Sequence, residues 1–230
     1  GGPRIFQIHH DYYHLIGFTN DGLHGSPTSS SGYRDKLLYV IGIEPLNGVT
    51  GLKVLNMSFK NAGGECVRLK YFATNNEIAH NTISTCGVLD FQFNGGGKNG
   101  EGVYIGTSPN QLGDGKNPTP DPDQSNKNWI HHNTIDTQGN ECVEMKEASS
   151  GNIIEYNNCT GQKDIEAGGM ASRANSNIFR CNDIYGNLGA GIRLGGHTTD
   201  QGINNDIYYN KIHDNGAVNP DSIGGIKFQR

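Results

Sequence analysis

The order of residues predicts an all-β chain folded as a single-domain, right-handed parallel β-helix with coils of about 24–28 residues. Three observations predict it. An Asn-centred segment recurs at nearly constant spacing, each repeat carries a second short segment of alternating apolar residues, and Gly and Asn punctuate short β-branched runs. Helical periodicity is missing throughout. A leucine-rich solenoid has a similar period, but it requires Leu at several fixed positions and a helical return, and the chain offers neither.

The Asn-centred segment spans Asn76 to Ile83, Asn128 to Ile135, Asn152 to Cys159, Asn177 to Ile184 and Asn205 to Ile212, and Leu52 to Phe59 gives a weaker copy. Anchored on Asn56, Asn81, Asn133, Asn157, Asn182 and Asn210, the steps are 25, 52, 24, 25 and 28 residues. The long step is two coils' worth of chain, either a second coil or one coil with a long insertion. Thr107 to Lys127, rich in Pro, Gly, Asp and Asn and without alternation, reads as an inserted loop that forms one wall of any groove. Asn suits a repeated turn because its amide bonds nearby backbone, tolerates left-handed geometry and pairs with the Asn of the next coil. His80, His132, Tyr156, Cys181 and Tyr209 each precede an anchor Asn, so they are expected in one stacked column. The first fifty residues are less regular: Leu37 to Ile43 supplies a strand, the repeat cannot be phased there, and His9, His10, His14 and His24 receive no role.

The second segment alternates as a half-buried strand must. Val67, Val103, Val143, Met170, Ile192 and Ile226 are expected in one interior column, with Leu69, Ile105, Met145, Ser172, Leu194 and Phe228 in the next. The outward positions then form files. One holds Arg68, Tyr104, Glu144, Ala171, Arg193 and Lys227; a second includes Lys70, Lys146 and Arg173; a third, at the strand entrance, holds Glu65, Glu101 and Glu141.

A formal net charge of −5 with no basic stripe argues against a nucleic-acid partner, and no stretch approaches the roughly 18 apolar residues that a membrane span needs. The first residues, Gly1 to Arg4, lead into no signal-peptide core, so any targeting segment is expected to be removed or not included. The five cysteines include no C-x₂₋₄-C pair, which speaks against zinc and for small buried hydrophobes, with at least one left free or bonded to another chain.

Mixed carboxylates and cations on one flat face suit an acidic polysaccharide. Elimination across a uronic acid removes a weakly acidic C5 proton, so a cation must neutralise the sugar carboxylate and a base must take the proton. Glu141 and Glu144 are candidate Ca²⁺ ligands, being hard oxygen donors. Lys146 is the candidate base and Arg173 the carboxylate clamp or second acid/base group, with Arg68, Lys70, Tyr104 and Arg193 as substrate-binding side chains. Arg173, one coil from Lys146, is expected to lower the Lys146 pKa by cation–cation repulsion. The bland alternative is ordinary ion pairing, Glu144 with Arg193 or Lys146 with Glu147.

The order Gly102-Val103-Tyr104-Ile105-Gly106-Thr107-Ser108, then Asn133, then Gly139 to Lys146, then Ser172-Arg173 with another Asn-rich return, resembles the pectate-lyase-like superfamily and within it the chondroitinase B and alginate lyase family. That resemblance implies a secreted or extracellular polysaccharide lyase, with Glu141 and Glu144 matching calcium ligands, Lys146 the base and Arg173 the acid. The family's two Glu residues are spaced differently and its Arg motif has an R-H-G context that this chain lacks. The alternative function is a non-catalytic structural or adhesive β-helix, for which the strand-like end at Ile226 to Arg230 predicts end-to-end self-association through uncovered edges.

Overall fold

The computed structural model describes residues 3–216 and 223–229; Gly1, Gly2 and Arg230, which figure in the sequence expectations, lie outside them. Short strands stack into three parallel sheets of 8, 7 and 7 strands, each strand pairing with its counterpart one coil away. The chain is a right-handed parallel β-helix. The first sheet runs in order through Arg4–Ile8, Lys36–Ile41, Val67–Lys70, Val103–Ile105, Val143–Met145, Gly168–Ser172, Ala190–Leu194 and Ile226–Phe228. Its register matches the alternation: Val67, Val103, Val143, Met170, Ile192 and Ile226 are mutual partners, coil by coil. Together with Ile78, Ile130, Ile154 and Phe179 from the second sheet and Phe59, Ile83, Ile135, Cys159 and Ile184 from the third, they fill one continuous core.

Two polar corners recur along the helix, joined in the later coils by a third at Gln162, Asn187 and Asn215, and hold this shape. Asn81 donates its backbone N–H and its Nδ2 to Asn133 Oδ1 at 3.0 and 2.9 Å, Asn133 does the same to Asn157, Asn157 to Asn182 and Asn182 to Asn210. A parallel ladder runs from Asn76 through Asn128, Asn152 and Asn177. These amides are nearly inaccessible, so each buried donor is satisfied by the next coil. The left-handed backbone belongs to the residue before each ladder Asn, not to the Asn itself: His80, His132, Tyr156, Cys181 and Tyr209 have φ between 52° and 58°. Such a conformation costs an ordinary residue about 1–3 kcal/mol, and the ladder offsets it. The rings of His80, His132 and Tyr156 stack at 4.9 Å spacing, as the column expectation required.

Two sequence readings change here. Asn56 is not an anchor; it takes the left-handed corner (φ 55°), and Met57 occupies the ladder position, its N–H bonded to Asn81 Oδ1 at 2.8 Å. The first fifty residues contain a full coil, with strands His14–Ile16 and Thr19–Asp21 in register with Lys53–Leu55 and Ser58–Lys60. The corners there lack Asn, which hid the repeat. The cysteines differ as well: Cys66 bonds Cys86 and Cys142 bonds Cys159, while Cys181 is free. Both disulfides tie the start of a first-sheet strand to the third-sheet side of the same coil. Among the described residues no helix is long and apolar enough to cross a membrane.

Candidate functional site

The outward face of the first sheet is the floor of a groove of about 510 Å³. Side chains on alternate strand positions must point outward here, which puts Tyr104 beside Glu144 in adjacent coils. Loops of unequal length build the walls. Lys98, Asp164 and Glu166, from the returns between third and first sheet, stand on one side, and Ser108, Asn110 and His197 stand on the other. The 107–127 insertion supplies part of that second wall. Pro118, Pro120 and Pro122 are exposed, while Asp123 ties the loop's return by accepting the backbone N–H groups of Tyr71 and Phe72 at 2.7 and 2.9 Å and the hydroxyl of Thr107 at 2.6 Å.

At the centre lie Glu101, Glu141 and Glu144, buried and with carboxylate oxygens within 4.8 Å of one another. Lys146 Nζ is 2.7 Å from Glu144 Oε2, Arg173 Nε 3.3 Å from Glu144 Oε1, and Arg193 Nη2 3.2 Å from Glu141 and 3.5 Å from Glu144. Arg193 sits two coils beyond Glu144; the intervening residue of its file is Ala171, whose small side chain leaves the space that the guanidinium crosses. Four of the residues singled out from sequence, Glu141, Glu144, Lys146 and Arg173, therefore converge, and Tyr104 and Arg193 join them in the groove.

Arg68 and Lys70 do not. Arg68 is buried, paired with Glu65 at 2.7 Å and laid over the Tyr104 ring at 3.5 Å, so it braces the floor from below. Lys70 is buried away from the groove, in the field of Asp114, Lys116 and Asp123 from the insertion. Their outward direction was legible; the cover over them was not.

Charges in so buried a floor perturb each other. Burial, reinforced by Glu65, Glu144 and Glu141, drives the Glu101 carboxyl well above its ordinary range. Burial and Glu144 push Glu141 up to about 7. Burial acts upward on Glu144 too, but Lys146, Arg173 and Arg193 outweigh it and hold that carboxylate low. Lys146 reverses the sequence expectation. Burial and Arg173 act to lower its pKa, yet Glu144, 2.7 Å from the ammonium, and Tyr104 outweigh them and raise it. In this structure Lys146 is an ion-paired ammonium.

The three carboxylates suit a hard divalent cation in donor type and spacing, and Glu141 Oε2 is left buried without a partner. Glu101 and Glu141 are the stronger members of such a set, since three side-chain cations already surround Glu144. Glu147, read from sequence as an ion-pair partner of Lys146, lies beside Arg173 instead, and His197 escaped the sequence reading altogether. The Glu147 side chain is 5% exposed, 3.7 Å from Arg173 Nη1 and with neither carboxylate oxygen hydrogen-bonded, and His197 Nε2 lies 3.5 Å from Glu147 and 3.4 Å from Arg173 Nη1. His197 comes from the 195–205 return, outside the repeat, where no periodic signal exists to find it.

With the geometry in hand, comparison with known proteins separates fold from reaction. No protein-family profile matches the sequence, and no curated protein matches it. Solved structures do. An alginate lyase from Paenibacillus sp. str. FPU-7 superposes with a TM-score of 0.71 at 14% identity, covering 100% of this chain and 77% of that one. The chain has its fold. The periplasmic alginate epimerase AlgG, in a mutant form, superposes at 0.56 with 13% identity, and the match spans 99% of this chain and 45% of the epimerase.

Proposed function

We propose that the chain is a polysaccharide lyase of an exported compartment, cleaving an acidic, uronic-acid glycan by β-elimination in the groove over the first sheet. The observation that carries this reading is the convergence of Lys146, Arg173 and Arg193 on three buried carboxylates in an open groove. The two structural neighbours, a lyase and an epimerase of alginate, support the same substrate class. Two disulfides within the helix support an oxidising compartment.

In this reading Arg173 and Arg193, which line the groove and are partly exposed, take the uronate carboxylate and neutralise the charge that grows when C5 loses its proton. Tyr104 forms the floor beneath the sugar ring. Lys146 accepts the C5 proton, and the elimination carries the bonding electrons into a C4–C5 double bond as the C4–O bond breaks and the departing oxygen takes a proton from water. Glu101, Glu141 and Glu144 would hold Ca²⁺, which when bound supplies positive charge beside Glu144 and so removes what keeps the proton on Lys146. A second reading is favoured by the 2.7 Å Lys146–Glu144 pair. There Lys146 stays an ammonium that neutralises the substrate, and His197, at the groove wall with its Nε2 3.5 Å from Glu147, takes the proton.

Incubating the protein with alginate, pectate and chondroitin sulfate while following the absorbance of unsaturated uronides tests the proposal. Absorbance growth on at least one glycan supports elimination. No growth on any, with or without added Ca²⁺, overturns it in favour of a non-catalytic β-helix. Comparing pH profiles of His197→Ala and Lys146→Ala then assigns the base: the variant that merely lowers the plateau lacks a positioning group, and the variant that abolishes the rising limb lacks the proton acceptor.

A further inference from the structure

A second cluster of chemistry lies on the opposite side of the coil, at the corner between the second and third sheets. His80 and His132 occupy left-handed corner positions of successive coils, exposed and stacked at 4.9 Å. His131, the last residue of strand Trp129–His131, is buried and stands edge-on to both, at 5.6 Å from His80 and 5.1 Å from His132. A ligand nitrogen from each of the three rings lies within 4.8 Å of the others. None of them lines the groove.

The surroundings fix His131. Its ring is stacked on Trp129 at 3.7 Å, and its Nε2 faces Glu77 Oε1 at 3.3 Å. A carboxylate there places the ring proton on Nε2 and leaves the Nδ1 lone pair pointing outward, toward His132. This carboxylate–imidazole relation is the usual outer support of a metal-bound histidine. His131 Nδ1 and His132 Nδ1 are 2.8 Å apart. Two imidazole nitrogens at that distance share one proton, because two facing lone pairs repel.

We infer that His80, His131 and His132 form a binding site for one transition-metal cation of the Zn²⁺ type, on the corner of the β-helix remote from the groove. Neutral imidazole suits Zn²⁺ and its neighbours and is a poor ligand for Ca²⁺. On binding, the proton shared between the two Nδ1 atoms goes to solvent and both lone pairs go to the cation. Metal–nitrogen bonds of about 2.0–2.1 Å in tetrahedral array put ligand nitrogens about 3.3 Å apart; His131 and His132 stand at 2.8 Å and all three rings within 4.8 Å, so rotation of the exposed His80 and His132 rings closes the set. The exposed side of His80 and His132 leaves the fourth position to water. Because its ligands come from two coils, the ion clips those coils together.

The test is calorimetric titration of the full chain with zinc chloride, paired with the visible absorption of bound Co²⁺. One ion per chain, a tetrahedral Co²⁺ spectrum and a raised unfolding temperature are expected. His80→Ala and His132→Ala, both exposed positions, should each weaken binding about tenfold or more, with circular dichroism unchanged. Glu141→Gln, in the groove carboxylate cluster, should leave Zn²⁺ affinity as it was, and excess Ca²⁺ should not displace the ion. Absence of binding, binding that survives the double His80→Ala, His132→Ala change, or binding lost in Glu141→Gln or to Ca²⁺ overturns the inference.

Discussion

The Asn ladders and the groove files are both columns of buried polar side chains repeated coil after coil, and they solve burial in opposite ways. In a ladder every member is the same neutral amide, whose Oδ1 accepts from the coil before and whose Nδ2 donates to the coil after, so identity is an advantage. Like charges about 4.8 Å apart repel, and the file of Glu65, Glu101 and Glu141 carries that cost: burial first and then neighbouring carboxylates drive Glu101 and Glu141 upward, while the file beside it does not repeat one charge. Tyr39, Arg68, Tyr104, Glu144, Ala171 and Arg193 follow one another instead, and the pairing that results is incomplete. Glu141 Oε2, both oxygens of Glu147, and Nε of Arg173 and Arg193 have no hydrogen-bond partner. The ladder is closed on itself; the file is open to a ligand.

That contrast is broken most forcefully at Lys146. Lys146→Ala removes the groove's innermost cation, and uronide release is expected to fall by about 10²–10⁴ in kcat while the unfolding transition persists. Full activity in this variant on an acidic glycan would remove Lys146 from the mechanism. A ladder change should do the reverse. Asn157→Ala strips the acceptor from the buried N–H of Asn133, leaving it unsatisfied, and from one hydrogen of its Nδ2, whose other hydrogen keeps the Ile78 carbonyl, at about 2–4 kcal/mol of stability. Chemical denaturation reads this directly, and a loss below about 0.5 kcal/mol would mean that water replaces the amide.

How much of this was legible in the sequence follows the same division. The register of Val67, Val103, Val143, Met170, Ile192 and Ile226 could be read because a strand's period of two and a coil's period of about 25 leave one consistent phase. The outward direction of Tyr104, Glu144, Lys146 and Arg173 followed from it. Asn56 misled by one residue because Asn is at home in a left-handed corner as well as in the ladder. The sign of the Lys146 shift was missed because repeat spacing shows neighbours along a file, not the Glu144 carboxylate two residues back on the same strand. Lys98, Asp164 and His197 come from returns of unequal length, which carry no period at all.

A pH series sharpens the comparison within the open region. Glu141 has a folded-state pKa of about 7, above the ordinary 4.5, chiefly through burial and then Glu144. Between those values the folded chain holds more protons than the unfolded one, so stability falls as pH rises through that window. The loss is about 1–3 kcal/mol for a shift of this size. Glu141→Gln carries no proton to lose at this position, and its stability should decline less steeply than the parent's across that window, the slope that stays coming from the raised Glu101 carboxyl. Parallel curves for the two proteins would show that Glu141 does not titrate in this range.

The smallest effect is expected where the insertion covers Lys70. Burial first, and the Arg68 charge second, bring the Lys70 pKa down from 10.5 to about 8. Here the unfolded chain holds the extra proton, so between about pH 8 and the ordinary lysine value stability rises with pH. Below pH 8 the folded state carries a poorly solvated ammonium, with Asp114 and Asp123 offsetting only part of the cost. Lys70→Met keeps the length and loses the charge. It should raise stability near neutral pH by about 1–2 kcal/mol, less than the full shift implies because an opening of the 107–127 insertion lets water reach the ammonium. The gap between variant and parent should close as pH approaches the unfolded pKa. Uronide release should be unchanged, because Lys70 lies outside the groove. A destabilised variant would mean that Lys70 is held by the insertion's carboxylates more strongly than burial penalises it, and a variant with impaired turnover would return Lys70 to the substrate-binding set.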